Sequence, residues 1–202
     1  MLPRLIPELT IKENYQAYIN ALYQTPYSGE IATDYATRLA MAVDNSIYQV
    51  IPQSVLFPRS AQDIATIMTL AHQDAFHDIQ FCARGGGTST NGQSLTAGII
   101  IDCSKYMRNI LELNLAEGWV RVQPGVVLDQ LNAYLKPHDV SFAPEISPSN
   151  RATIGGMVNT DASGIGSKTL GRTSDHVLDL TCILYDGRII HTNELALTHW
   201  YE

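Results

Sequence analysis

The chain has 202 residues, 45% of them hydrophobic and 16% charged, with a formal net charge of -7 at pH 7. Such a chain can bury an ordinary core, so a disordered or fibrous class is excluded, and the acidic balance without a Lys/Arg run argues against nucleic acid as a partner. No apolar stretch reaches the roughly 20 residues that span a bilayer and the N-terminus lacks a signal-peptide pattern, so a cytoplasmic location is expected.

The first segment, residues 8–23, carries Leu9, Tyr15, Tyr18, Ile19 and Leu22 at helical spacing and ends near Pro26 and Gly29, which predicts a peripheral helix. A second helical segment passes through Tyr35, Leu39 and Met41 into Asp44-Asn45-Ser46-Ile47-Tyr48, before Pro52 restarts the chain. Residues 1–43 are expected to form an N-terminal helical arm in front of a domain over 44–202. A strand follows at 54–57, and Ser60 with Asp63 predicts a capping box for a helix burying Ile64, Ile67, Met68 and Ala71.

Further strands are predicted at 79–83, 98–101, 110–113 and 119–122, then a helix burying Leu128, Leu131 and Leu135. Strands at 177–185 and 188–192 flank Asp186-Gly187, a type I′ hairpin signal. The mixture has no regular βαβ repeat, which favours α+β over a doubly wound sheet. Cys82, Cys103 and Cys182 are odd in number, widely spaced and set in apolar runs, so buried free thiols are expected rather than a disulfide framework or metal knuckle.

Chemistry concentrates in Arg84-Gly85-Gly86-Gly87-Thr88-Ser89-Thr90-Asn91-Gly92. Successive glycines let backbone N–H groups turn toward one anion, and Thr88 and Ser89 add hydroxyl donors, so the loop suits a pyrophosphate. Gly87 to Ser94 has P-loop glycine spacing but puts Gln93 where a P-loop needs Lys, which excludes an NTPase. Gly85 and Gly87 begin a dinucleotide fingerprint, but Thr90 takes its last glycine position and no helical period follows. A second run of small residues spans 147–171, including Asn150-Arg151-Ala152-Thr153-Ile154-Gly155-Gly156 and Asn159-Thr160-Asp161-Ala162-Ser163-Gly164, and allows close backbone approach to a flat ligand.

His176 beside Asp175 reads as a structural histidine rather than a base, and His72, His77, His138, His191 and His199 have no metal-site spacing. Asp161 reads as a turn cap more readily than as a ribose contact.

The ordered motifs, namely Asp44 to Tyr48 with Phe57-Pro58-Arg59-Ser60, the Arg84 glycine loop, Val122-Gln123-Pro124-Gly125-Val126, and the small-residue segment 152–164, resemble the FAD-binding domain shared by vanillyl-alcohol oxidase and p-cresol methylhydroxylase. The resemblance covers roughly residues 44–192. In wording it is nearest the branch that oxidises D-2-hydroxy acids such as D-lactate and D-2-hydroxyglutarate, in particular bacterial FAD-linked dehydrogenases with a C-terminal iron-sulphur part.

The resemblance implies two small α+β subdomains with FAD between them. It places the pyrophosphate on Gly85, Gly86, Gly87, Thr88 and Ser89, with Asn91 and Gly92 closing the turn. Pro144, Glu145, Thr153, Gly155, Gly156, Asn159, Thr160, Ser163 and Gly164 would line the rest of the groove. Arg84 has two open roles: offsetting phosphate charge, or pinning the loop through backbone carbonyls. Relatives with covalent flavin often attach it through a histidine in the glycine loop; Thr88 stands at that place, so dissociable FAD is expected.

The resemblance also implies that the substrate-binding domain, the catalytic groups, a 4Fe-4S cluster and the contact with an electron acceptor belong to a longer parent enzyme, of which this chain is expected to be a piece. That parent would be cytoplasmic or peripheral to the inner membrane. Two alternatives stand beside this reading: a non-catalytic nucleotide-binding or assembly subunit, and the UDP-sugar reductase branch of the same fold.

Overall fold

The computed structural model describes residues 10–194. Helix α1 (Glu13–Leu22) places Tyr15, Tyr18 and Leu22 on one face, and all three enter a core with Leu56, Ile67, Leu70, Ile99 and Ile101. The Tyr18 hydroxyl donates to Ile67 O at 2.8 Å, and its ring meets Phe76 and Phe81 edge-on. The expectation of a peripheral helix is thus corrected: the three- and four-residue spacing builds a stripe that helix α3 (Ala61–Ala71) covers. The expected start at Glu8 lies outside the described residues.

Strand β1 (Glu30–Ala32) is too short to carry an alternation signal and was not expected. It is fixed by Glu30, whose Oε2 accepts from Lys105 Nζ at 2.6 Å and the Tyr106 hydroxyl at 2.8 Å. Helix α2 (Tyr35–Ala40) is capped by Asp34, which accepts from Thr37 N, and it buries Arg38, whose Nε donates to Pro52 O at 2.7 Å.

Strands β2 (Ser54–Phe57), β3 (Phe81–Arg84) and β4 (Ile99–Asp102) form the parallel part of a four-stranded sheet ordered β1-β2-β4-β3, with β1 antiparallel at one edge. β2 and β4 are buried along their whole length, as unbroken apolar runs covered on two faces should be. Helix α3 is the crossover from β2 to β3. Ser60 caps it by accepting from Asp63 N, but the Asp63 carboxylate accepts from Arg59 N, Ser28 N and Ser28 Oγ instead of completing the capping box. Ile67 and Ala71 are buried as expected, while Ile64 and Met68 are only partly covered.

The second half has its own core. Strands β5 (Ile110–Asn114) and β6 (Trp119–Val122) form an antiparallel hairpin, and helix α4 (Leu128–Leu135) packs Leu131 and Leu135 against Ile110, Leu113, Val120 and Val122. Leu128 turns instead to Ala152 and Met157. Helices α5 (Ile154–Asn159) and α6 (Ser167–Leu170) occupy the small-residue segment, where no apolar period marked them.

Strands β7 (Thr181–Ile183) and β8 (Ile189–His191) pair antiparallel and are shorter than expected. Their turn also differs from type I′. Leu184 N donates to Arg188 O and Gly187 N to Leu184 O, while positive φ occurs at Gly187 and not at Asp186. Tyr185 joins the loop, giving a three-residue connection closed by a left-handed glycine. The architecture is α+β as expected, with a cleft between the two cores.

Candidate functional site

The site begins where β3 ends. Cys103 N donates to Arg84 O, the last bond continuing the parallel ladder, and the chain then leaves the sheet as the glycine loop. Gly87 adopts φ 63°, a left-handed conformation that glycine takes without strain. Gly86 packs so closely on residue 151 that a Cβ would collide with the Arg151 carbonyl oxygen. Among the described residues, no protein acceptor meets the N–H groups of Gly85, Gly86, Gly87, Thr88 or Ser89. Five successive donors without protein partners, on residues that line the cleft, are available to an anion.

Two side chains hold this loop. Arg84 is half-buried and spends its guanidinium on Val43 O at 2.7 Å, Met41 O at 3.3 Å and Ser94 Oγ at 3.5 Å. Of its two open roles, the structure shows the pinning one. Burial lowers the Arg84 pKa, against the opposing attraction of Asp102 and Asp44.

Asp44 Oδ2 accepts from Ser89 Oγ at 2.8 Å and Ser94 Oγ at 3.2 Å, and Oδ1 accepts from Ser46 N at 2.8 Å. Burial alone would raise the Asp44 carboxyl, but the bonds from Ser46, Ser89 and Ser94 outweigh it and hold it at about 2. The Ser89 hydroxyl proton is therefore directed to Asp44, which leaves Thr88 and Thr90 as the loop hydroxyls without a protein partner among the described residues, and of these Thr88 lines the cleft.

The opposite wall is α5 and the segment before it. Ile154 N donates to Val126 O and Gly155 N to Pro124 O, while Thr153 Oγ1 accepts from Gly156 N. The first N–H groups of this short helix are thus satisfied by the Pro124–Val126 turn, and anion binding falls to the glycine loop across the cleft. Between the two walls lies a cleft of about 380 Å³, with Cys103, Pro124 and Met157 among its apolar lining. Burial, then the Asp102 charge, pushes the Cys103 thiol up to about 12, so it stays protonated and unreactive. All three cysteines are free and partly buried.

Eleven of the residues singled out in the sequence line this cleft: Arg84, Gly85, Gly86, Gly87, Thr88, Ser89, Thr153, Gly155, Gly156, Asn159 and Thr160. The structure brings the two motifs together although more than sixty residues separate them (Arg84 to Thr153). Asn91, Gly92, Pro144, Glu145, Ser163 and Gly164 lie outside the lining. Asn91 N donates to Gln93 Oε1, Gly92 faces the Tyr48 ring, and Glu145 pairs with Gly164 in an isolated parallel bridge.

Residues missed in the sequence include Gln93, Ser94, Cys103, Ala152 and Met157. Cys103 and Met157 read as core because nothing local distinguishes an apolar side chain facing a cleft from one facing a helix. Ser94 had a findable signal, a third hydroxyl just past the glycine loop.

His176 Nε2 meets Leu170 O at 2.6 Å and its ring abuts Phe142, while Asp161 accepts from Ser174 N at 3.0 Å and Arg172 Nη1 at 3.4 Å. Among the described residues no group of three His, Cys, Asp or Glu side chains is placed to hold a metal, and no helix is long and apolar enough to cross a membrane. His199 lies outside the described residues.

A family model described as an FAD binding domain matches residues 52–193. The D-2-hydroxyglutarate dehydrogenase of Pseudomonas putida is 55% identical over 179 residues, covering 89% of this chain and 18% of that protein. The protein of the same name from Escherichia coli is 51% identical over 197 residues, covering 98% of this chain and 19% of its own length. The chain therefore spans under a fifth of the length of these two relatives.

Among solved structures, an alkyldihydroxyacetonephosphate synthase superposes with a TM-score of 0.77 at 19% identity, over 92% of this chain and 36% of that one. At that identity the likeness establishes the fold. The fold is the vanillyl-alcohol oxidase and p-cresol methylhydroxylase type expected from the motifs, and by its matched sequence the chain belongs to the FAD-binding-domain family.

Proposed function

We propose that this chain is the FAD-holding part of an oxidoreductase that converts a D-2-hydroxy acid, of the D-2-hydroxyglutarate or D-lactate type, to its 2-oxo acid. The observation that carries the cofactor assignment is the row of five acceptor-free N–H groups along one wall of the cleft. The substrate class is supported by the names of relatives more than half identical over nearly the whole chain.

In this reading Gly85 to Ser89 hold the pyrophosphate, and the Thr88 hydroxyl donates to it. Thr153, Gly155, Gly156, Asn159 and Thr160 face the rest of the cofactor. Asn91, Gly92, Pro144, Glu145, Ser163 and Gly164 support the groove from outside. Arg84 and Asp44 keep the loop in its donor-outward shape. When bound, the flavin supplies the hydride acceptor, while protein groups supply position and exclude water. The groups that bind the hydroxy acid and take its proton, the iron-sulphur part and the contact with an electron acceptor are assigned to the remainder of the whole protein, in the cytoplasm.

Dye reduction by the whole protein with D-2-hydroxyglutarate and with D-lactate tests this, alongside the 202-residue chain saturated with FAD. The whole protein should turn over at least one of them and the chain alone should not. Comparable rates from the chain alone would overturn the placement of the catalytic groups. Indifference of the whole protein to D-2-hydroxy acids, with oxidation of NADPH instead, would overturn the substrate class and leave the cofactor assignment standing.

A further inference from the structure

A pyrophosphate brings net negative charge to a loop whose five peptide N–H groups offer dipoles but no net charge. The carboxylate of Asp44, ionised well below neutral pH, adds to that negative field beside Ser89. A compensating cation is needed nearby. Arg84, the cation adjacent in sequence, lies against Gly87 but spends its guanidinium N–H groups on Val43 O, Met41 O and Ser94 Oγ.

Arg151 is placed differently. Its backbone is fixed by a bond from its N to Pro148 O at 2.9 Å, and its carbonyl oxygen packs against Gly86. The side chain is exposed, with Nη2 donating to Gly86 O at 3.4 Å. This bond ties its side chain to the 85–89 loop. Its other guanidinium N–H groups have no protein partner among the described residues. Its charge reaches the loop's base, because after burial it is a further influence lowering the Arg84 pKa.

We propose that Arg151 supplies the positive charge that offsets the cofactor's pyrophosphate at the glycine loop, the task the sequence left open for Arg84. This rests on the FAD reading above. It makes Arg151 a cofactor-binding residue contributed by the second motif to the first, so that the two walls are joined by charge as well as by packing.

The test is flavin fluorescence titration of the chain with FAD at low and high salt, for wild type, Arg151→Gln and Arg151→Lys, with a thermal melt of each protein without FAD. Arg151→Gln should weaken FAD binding about tenfold at low salt, the size of one charge-assisted contact. Arg151→Lys should recover most of that loss, and the gap between Gln and wild type should narrow as salt screens the charge. The melts should coincide, since the side chain is exposed.

Wild-type affinity in Arg151→Gln would overturn the proposal, as would equal losses in Gln and Lys variants that ignore salt, the behaviour of a purely geometric clamp on Gly86. A wild-type chain that bound no FAD at all would overturn the cofactor reading itself, and this inference with it.

Discussion

Ser89 Oγ donates to Asp44 Oδ2 at 2.8 Å, tying the glycine loop to a turn 45 positions earlier in the chain. Asp44 is held at about 2 against an ordinary 3.8, so the sign of its pH effect follows. A depressed carboxylate contributes stability that is complete above about pH 4 and is lost as the pH falls toward 2. Wild-type protein unfolded by urea across that range should show this loss, and Asp44→Asn should flatten it. Asp44→Ala should also cost about 1–2 kcal/mol at neutral pH, because the hydroxyls of Ser89 and Ser94 lose a charged acceptor.

Gly86→Val would press a β-branched side chain into the Arg151 carbonyl, so it should lower the melting temperature as well as FAD affinity. The glycine requirement there comes from the protein's own backbone, which a sequence reading assigns wholly to the ligand. Gly87→Ala separates the two effects better. Its Cβ would meet only the Arg84 side chain, and the φ of 63° should cost about 1–2 kcal/mol of stability. A melt and a flavin titration on both variants check this; an unchanged melt for Gly86→Val would contradict the close approach.

Ser54 Oγ, at the start of β2, is a fully buried hydroxyl without a hydrogen-bond partner among the described residues. Ser54→Ala removes a desolvated polar group at the cost of a very small void. It should leave stability unchanged or raise it by about 1 kcal/mol, measured by chemical denaturation. A loss above that size would show that the hydroxyl has a partner in solution.

The cofactor should be dissociable. Thr88 lines the cleft at the position where a histidine would tether the flavin, and the Cys103 thiol, pushed up to about 12, is not a nucleophile near neutral pH. Acid precipitation of the FAD-loaded chain should leave a colourless pellet and a yellow supernatant. Colour retained in the pellet would identify a covalent link.

Local signals were legible. The strand at Ser54–Phe57, the Ser60 cap, the helix carrying Leu128, Leu131 and Leu135, and the glycine loop all depend on residues within a turn or two of each other. A periodicity or a cap is a property of neighbours, and the sequence lists neighbours. The same locality explains the failures: β1 has only three residues, and α5 is a helix of small residues with little apolar face to give a period.

What the sequence by itself determined is the class of the domain, its two phosphate-loop and small-residue motifs, and the exclusion of P-loop and dinucleotide fingerprints. What only the tertiary structure decided is who meets whom across long separations: Arg84 with Val43, Ser89 with Asp44, Gly86 with Arg151. The sign of Arg84's role turned on this, since a guanidinium near a phosphate loop serves charge or scaffold according to which acceptors surround it. Those acceptors are backbone carbonyls whose positions are set by the sheet order and the crossover, and a carbonyl looks the same at every residue of a sequence.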